Sequence, residues 1–277
     1  MTVTGRAVRP FVRRPFHAWC VLGVAVTTFL FVGLQLLAPV NGLVFAVAIG
    51  QLATALAWSY GTGSVGFPGS AVVIALAAIG SDLVVLNAKS IHFGVLGPIL
   101  AGAVIAAIVH QVVRRPPRAQ VLSSIAQDVF GAVAAASMSL WLMMHEAGDA
   151  RLLVVGVSAG AGVALLVSHL VDCIGASPRV SYDVPRGVFG FVLAVFAGAG
   201  VTAWRLDTAF LSDILGHAII GGLVALVCVL TSLAMTFIAV DAAPRTWASV
   251  VLHAAVPFAM AAPTGLVITL AVAAQAG

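Results

Sequence analysis

At 277 residues, with 62% hydrophobic residues, 8% charged residues and a formal net charge of +4, the chain is not a water-soluble globule, in which roughly a quarter of the residues would be charged. Its mean hydropathy of +1.16 leaves no stretch polar enough for a soluble domain. The basic residues sit in short clusters at the ends of apolar runs, a pattern that orients membrane helices and argues against nucleic acid as a partner.

Runs such as 21–37 and 187–201 do not alternate polar and apolar residues, as barrel strands would over about 10 positions. Helices satisfy every backbone group within one segment, which lipid requires. The expected fold is an all-α, polytopic membrane helix bundle. A basic N-terminal tail covers 1–17 and the transmembrane domain 18–277.

In chain order, Arg6, Arg9, Arg13 and Arg14 precede a first span at 18–38. Arg13-Arg14 has a faint twin-arginine look. The apolar run, however, is about 20 residues, longer than the 7–15 of a signal peptide, and no A-x-A site follows, so a cytoplasmic tail anchoring the first span is expected. Turn residues and charges then divide the chain into spans at 42–60, 68–88, 93–113, 120–144, 151–174, 187–204, 214–240 and 246–272. That makes nine transmembrane helices of about 20 residues each. The stretch 205–240 is long enough for a span plus an interfacial helix, or for one tilted helix.

With the N-terminus in the cytoplasm, ten of the thirteen cations fall on inside connectors: Arg6, Arg9, Arg13, Arg14, Arg114, Arg115, Arg118, Arg179, Arg186 and Arg245. Lys89, Arg151 and Arg205 fall outside. This asymmetry fits the preference of cytoplasmic loops for Lys and Arg. Twelve of the cations are Arg, and Ala, Val and Gly are abundant, as in a high-GC bacterial genome. The expected location is the bacterial plasma (inner) membrane.

Stretches 42–144 and 151–272 each read as four spans with matching landmarks. Pro68 and Pro185 begin the second, Leu96-Gly97 and Leu215-Gly216 open the third, and Pro117-Arg118 and Pro244-Arg245 precede the fourth. These suggest a parallel 4+4 internal repeat. Gly156–Gly160, Gly162, 197–200 and Gly221-Gly222 are small-residue faces that pack helices within one chain or form a dimer face. Pro257 and Pro263 are expected to kink or break the last helix. Cys20, Cys173 and Cys228 form no metal-type pair and read as small packing residues, with no disulfide expected.

Ionisable residues inside spans point most directly to function, because an Asp at the bilayer centre costs about 2.5–3.5 kcal/mol on insertion scales. The candidates are Asp82, Asp128 (beside Gln127), His169 with Asp172, and Asp213 with His217; Gln51 is near the middle of its span. The two His/Asp pairs are three and four residues apart, so each shares a helix face. Two ligands on opposite membrane faces do not make a zinc site, and no metal or cofactor is expected. A structural reading, with side chains snorkelling to headgroups, stands beside a carboxylate–histidine proton relay.

The chain has no G-x-S-x-G, H-E-x-x-H or P-loop motif, so catalysis is not expected. Arg179, Tyr182, Asp183 and Arg186 form a loop that attracts anionic lipid or binds a substrate phosphate. Three readings follow: a small transporter or lipid-translocating permease; a non-catalytic scaffold in an envelope-biogenesis complex; and a membrane enzyme acting on a lipid phosphate. Partners are membrane lipids, with a homo-oligomer or membrane-complex subunits as further partners. For the topology, a single cysteine placed at position 115 is expected to react with a membrane-impermeant maleimide only from the cytoplasmic side. Labelling from the exterior would overturn the orientation.

Overall fold

The computed structural model describes residues 14–88, 92–116, 118–145, 151–175, 177–182, 184–205, 211–242 and 245–276. The expectations for Arg6, Arg9, Arg13, Lys89, Pro117, Glu146, Asp149, Asp183 and Pro244 lie outside these residues. Regular structure in the described residues is helical. Eleven α-helices run in order: α1 Arg14–Thr28, α2 Leu34–Leu37, α3 Pro39–Thr62, α4 Gly69–Leu86, α5 Gly97–Val113, α6 Val121–Met138, α7 Leu140–His145, α8 Arg151–Gly175, α9 Val188–Arg205, α10 Leu211–Ala242 and α11 Thr246–Ala276. A π-helical turn, Phe29–Gly33, joins α1 to α2, and a 3₁₀ turn, Phe93–Leu96, leads into α5.

Among the described residues, eight helical stretches are long and apolar enough to cross a membrane, and Val188–Trp204 is a shorter apolar helix. The shorter helix occupies the seventh expected span. Large apolar side chains such as Leu22, Leu76, Ile105, Phe130, Phe196 and Ile219 point outward. In water such a surface would be an association liability, and against hydrocarbon it is the ordinary exterior.

Two details depart from the sequence reading. The expected span 120–144 is interrupted at Ser139, where a turn separates α6 from α7. Conversely, α11 continues through both Pro257 and Pro263 instead of breaking. Proline deprives the carbonyl four residues back of its donor, but neighbouring helices supply polar contacts near these sites. The Trp141 indole N–H donates to Phe258 O at 3.0 Å, and the Cys228 thiol lies 3.5 Å from Pro257 O.

The helices pack as two groups joined by α11. In the first, α4 lies against α3, α5 and α6; in the second, α8, α9 and α10 pack on one another. Helix α1 joins the second group, against α8 and α11, and not the neighbouring α3. At the end of the bundle carrying Arg114, the Arg245 guanidinium sits 4.2 Å over the Tyr60 ring and the Arg245 N–H donates to Tyr60 O. Arg114 there donates to Val65 O and Ala119 O.

The small-residue faces are occupied within the chain. A Cβ on Gly160 would lie 2.8 Å from Gly198 O, and one on Gly198 would lie 2.9 Å from Gly160 O. Glycine therefore lets α8 and α9 touch backbone to backbone, and Thr202 Oγ1 of α9 lies 3.3 Å from Gly156 O of α8 across the same seam. Elsewhere on α9, Gly200 has open space where a Cβ would go. Gly198→Ala should accordingly destabilise the protein by about 1–3 kcal/mol through overpacking. Gly200→Ala should be neutral or stabilising, by up to about 1 kcal/mol of helix propensity. Thermal unfolding of the two variants in detergent checks the opposite signs.

Candidate functional site

Asp128 is fully buried on α6, and its Oδ2 lies 3.0 Å from His110 Nδ1 on α5. The placement follows from helix register. Thr62 at the end of α3 lies 3.5 Å from Gln127, while Trp58, one turn earlier, would touch a Cβ on Gly131, one turn later. These contacts set α3 antiparallel to α6. Ile74 of α4 also packs on Gly131, which puts Ser70, one turn before it, at the level of Asp128. The His110 ring closes the site, lying directly against Gly69.

This site holds hydrogen-bonding capacity that the protein itself does not use. Asp128 Oδ1, Ser70 Oγ, Ser124 Oγ, Gln111 Oε1 and the nearby Trp58 Nε1 are enclosed without a partner among the described residues. Buried polar atoms are ordinarily satisfied. Acceptors (Asp128, Gln111), a donor (Trp58) and hydroxyls that serve as either occur together here, which suits a polar guest or water.

A second polar site lies further along α4. Asp82 Oδ1 accepts from Ser139 Oγ at 2.6 Å and from Gln51 Nε2 at 2.9 Å. Ser81 Oγ is 2.7 Å from Ser139 Oγ, and Gln51 also donates to Ala135 O. Asp82 itself is half-buried, whereas Gln51, Ser81 and Ser139 are buried. The interruption between α6 and α7 thus falls where its Ser139 side chain enters this network. From Ser70 to Asp82 is twelve residues, or about 18 Å at helical rise. Between them α4 buries Val73, Ile74, Ala77 and Ala78, an apolar layer that Trp58 completes from α3.

The third site is in the second group of helices. His169 and Asp172 share a face of α8 as expected, but the residue that joins them is Arg186. Expected as a loop cation facing lipid, Arg186 is instead 2% exposed. Its Nη1 lies 3.1 Å from Asp172 Oδ2 and donates to His169 Nδ1 at 2.9 Å. Its Nη2 donates to Ser168 Oγ and Ser232 Oγ at 2.8 and 3.2 Å. Asp172 Oδ1 accepts from the Gly187 N–H at 2.9 Å. Burial of a guanidinium without such partners would cost several kcal/mol.

Two further histidines complete this site. His17 of α1 reaches His169 Nδ1 with its Nδ1 at 3.2 Å and Pro185 O with its Nε2 at 3.0 Å. His253 of α11 donates from Nδ1 to Ser249 O at 2.7 Å, and its Nε2 is 3.2 Å from Thr236 Oγ1. A cleft lined by Ser168, Val180, Arg186, Gly187, Phe191 and Val229 borders the guanidinium.

No protein-family model, curated protein or solved structure matches the chain. The site is therefore read from its own geometry. Among the described residues, no group of three or more His, Cys, Asp or Glu side chains is placed to hold a metal ion.

Asp213 and His217 stay apart from the three sites, in the first turns of α10. Asp213 is exposed, and His217 is half-buried with its Nδ1 enclosed. Sequence reading passed over His17, His110 and His253. Nothing in local spacing joins His17 to His169 across 152 positions. His110 was the nearest to being found, since it sits one turn before the Arg114 cluster.

The Arg186–Asp172 pair has a measurable consequence. Asp172→Asn should destabilise the protein by about 3–5 kcal/mol, because it leaves a buried guanidinium unpaired. Adding Arg186→Met should recover part of that loss, so that the double variant loses less than the two single losses combined. A double-mutant cycle of unfolding in mixed micelles measures the difference.

Proposed function

We propose that the protein is a small multi-pass permease of the bacterial plasma membrane, with its N-terminus in the cytoplasm, and that its transport is coupled to protons. Nine crossings, counting Val188–Trp204, put the Arg114, Arg115, Arg118, Arg179 and Arg245 turns on one side. The observation that carries the reading is the pair of polar sites at two depths on α4, around Asp128 and Asp82, separated by the apolar layer of Ile74 and Trp58. Ionisable side chains at such depth are expensive, and a pathway for ions or solute is what most often retains them.

The unused polar atoms around Asp128 support binding of a polar guest at the cytoplasmic end. The apolar layer supports a barrier that keeps that guest from passing straight through. Exchange of a proton at a carboxylate changes its charge and so its affinity for a polar guest, which is the elementary step of coupling. The parallel 4+4 repeat remains a reading of the sequence landmarks. Helix pairing differs between the halves, with α4 touching α6 in the first and α8 touching α10 in the second.

Purified full-length protein in proteoliposomes on a solid-supported membrane supplies the test. A pH jump should displace charge in the wild type and not in Asp128→Asn, with Asp82→Asn reduced severalfold. Dithionite quenching of a fluorescent phosphatidylglycerol in the same vesicles reads the lipid-translocating branch. Wild-type vesicles that match empty ones in both measurements would remove the proposal.

A further inference from the structure

The hydrogen-bond inventory around His17 does not close for a neutral ring. Its Nε2 is 3.0 Å from Pro185 O, which only accepts, so this nitrogen must carry a proton. A neutral imidazole carries only one proton, so Nδ1 would then be bare, and it lies 3.2 Å from His169 Nδ1. The other tautomer satisfies the His169 contact and leaves two lone pairs facing each other at Pro185. A neutral His17 meets both contacts only if His169 carries its proton on Nδ1, where the Arg186 guanidinium opposes it; with His169 Nδ1 accepting, both are met together only by the imidazolium.

His169 Nδ1 is itself contested. An imidazole nitrogen has one in-plane lone pair, and Arg186 Nη1, which can only donate, already points at it from 2.9 Å. With Nδ1 accepting, the His169 proton sits on Nε2 and is directed to Ser232 Oγ at 3.3 Å. Two donors, one from the α8–α9 connector and one from α1, therefore compete for a single acceptor.

We propose that the His17–His169 pair is a proton-binding site, in which a proton arriving on His17 Nδ1 takes the His169 lone pair from Arg186. Arg186 then keeps Asp172, Ser168 and Ser232, so the guanidinium remains satisfied after the exchange. The step balances: one proton enters, one N–H···N bond forms between the rings, and one guanidinium bond to His169 is released. The groups facing the pair are Arg186 and Asp172, His253 from α11 and Cys20 on α1 itself. His253 holds one proton on Nδ1 against Ser249 O, and its Nε2 lies 3.2 Å from Thr236 Oγ1.

The physical effect is on α1. Phe16 packs edge-on to the His253 ring, with centroids 5.2 Å apart, so Phe16 and His17 tie the start of α1 to α8, α11 and the Arg186 connector. A proton strengthens the α1–α8 link while loosening the link from Arg186 to α8. This inference concerns a different site from the Asp128 pathway and stands whether or not a solute crosses.

Solid-state NMR of ¹⁵N-histidine-labelled wild-type protein in lipid nanodiscs tests it directly. The two Nδ1 nuclei, 3.2 Å apart, give a cross-peak that identifies the pair without any substitution. On titration from about pH 8 to the lowest pH at which near-UV circular dichroism stays native, His17 should acquire a second N–H, with a coincident shift at His169 Nδ1. His253 should keep a single proton throughout. In His169→Leu, which removes the acceptor, the second protonation of His17 should vanish from that range. A His17 ring that holds one proton across the whole titration, or gains a second with no change at His169 Nδ1, would overturn the proposal.

Discussion

Arg186 has almost no exposed surface, and this is tolerable only because four groups converge on its guanidinium from two helices. The Asp172 carboxylate cancels its charge, and His169, Ser168 and Ser232 take its remaining N–H directions. His169, Ser168 and Asp172 are on α8, which meets α9 at the backbone contact of Gly160 with Gly198. Close approach through glycine and polar satisfaction are thus one constraint in this half of the bundle. A bulkier residue at the seam would move Ser168 and Asp172 away from the guanidinium that needs them. The energies differ in kind. Overpacking costs about 1–3 kcal/mol, whereas an unpaired buried charge costs about 3–5 kcal/mol, so the seam is the cheaper of the two to disturb directly.

The same requirement explains why the Asp128 site is less complete. Around Asp128 only His110 answers the carboxylate, and the neighbouring polar atoms of Ser70, Ser124, Gln111 and Trp58 are not spent on each other. The Arg186 and Asp82 sites therefore close their polar groups into networks, and the Asp128 site leaves polar atoms without a partner among the described residues. A closed network rigidifies, while open hydrogen-bonding capacity is what a guest-binding site needs. The division of labour between the sites follows from which polar groups are already satisfied.

Much of the helical architecture was legible because apolar runs of bilayer length and the arginine turns depend on local sequence alone. His169 and Asp172 were legible as a pair for the same reason, since three residues place them on one helix face. Their joining residue was not, because Arg186 lies in a connector whose composition looks like any cytoplasmic loop, and its burial is decided by α8 and α10. His17 looked like tail because four arginines precede it closely in the sequence. It belongs to the bundle because α1 packs on α8, a contact no local pattern encodes. The continuity of α11 through Pro257 and Pro263 was not legible either, because proline in a local sequence reads as a break.

Depth turns these separate sites into an argument about transport. About 18 Å of α4 separates the level of Asp128 from Asp82, more than half of a hydrocarbon core of about 30 Å. A solute moving between them must cross the layer where Ile74 and Trp58 meet Gly131. Gly131 has no side chain to fill that space, so Ile74 and Trp58 fill it from two other helices. A barrier made of side chains from α3 and α4 opens if those helices shift against α6, without any backbone unfolding. The interruption of the α6–α7 line falls at Ser139, whose hydroxyl is tied to Asp82, Gln51 and Ser81, so a shift of this line is felt directly by the Asp82 network.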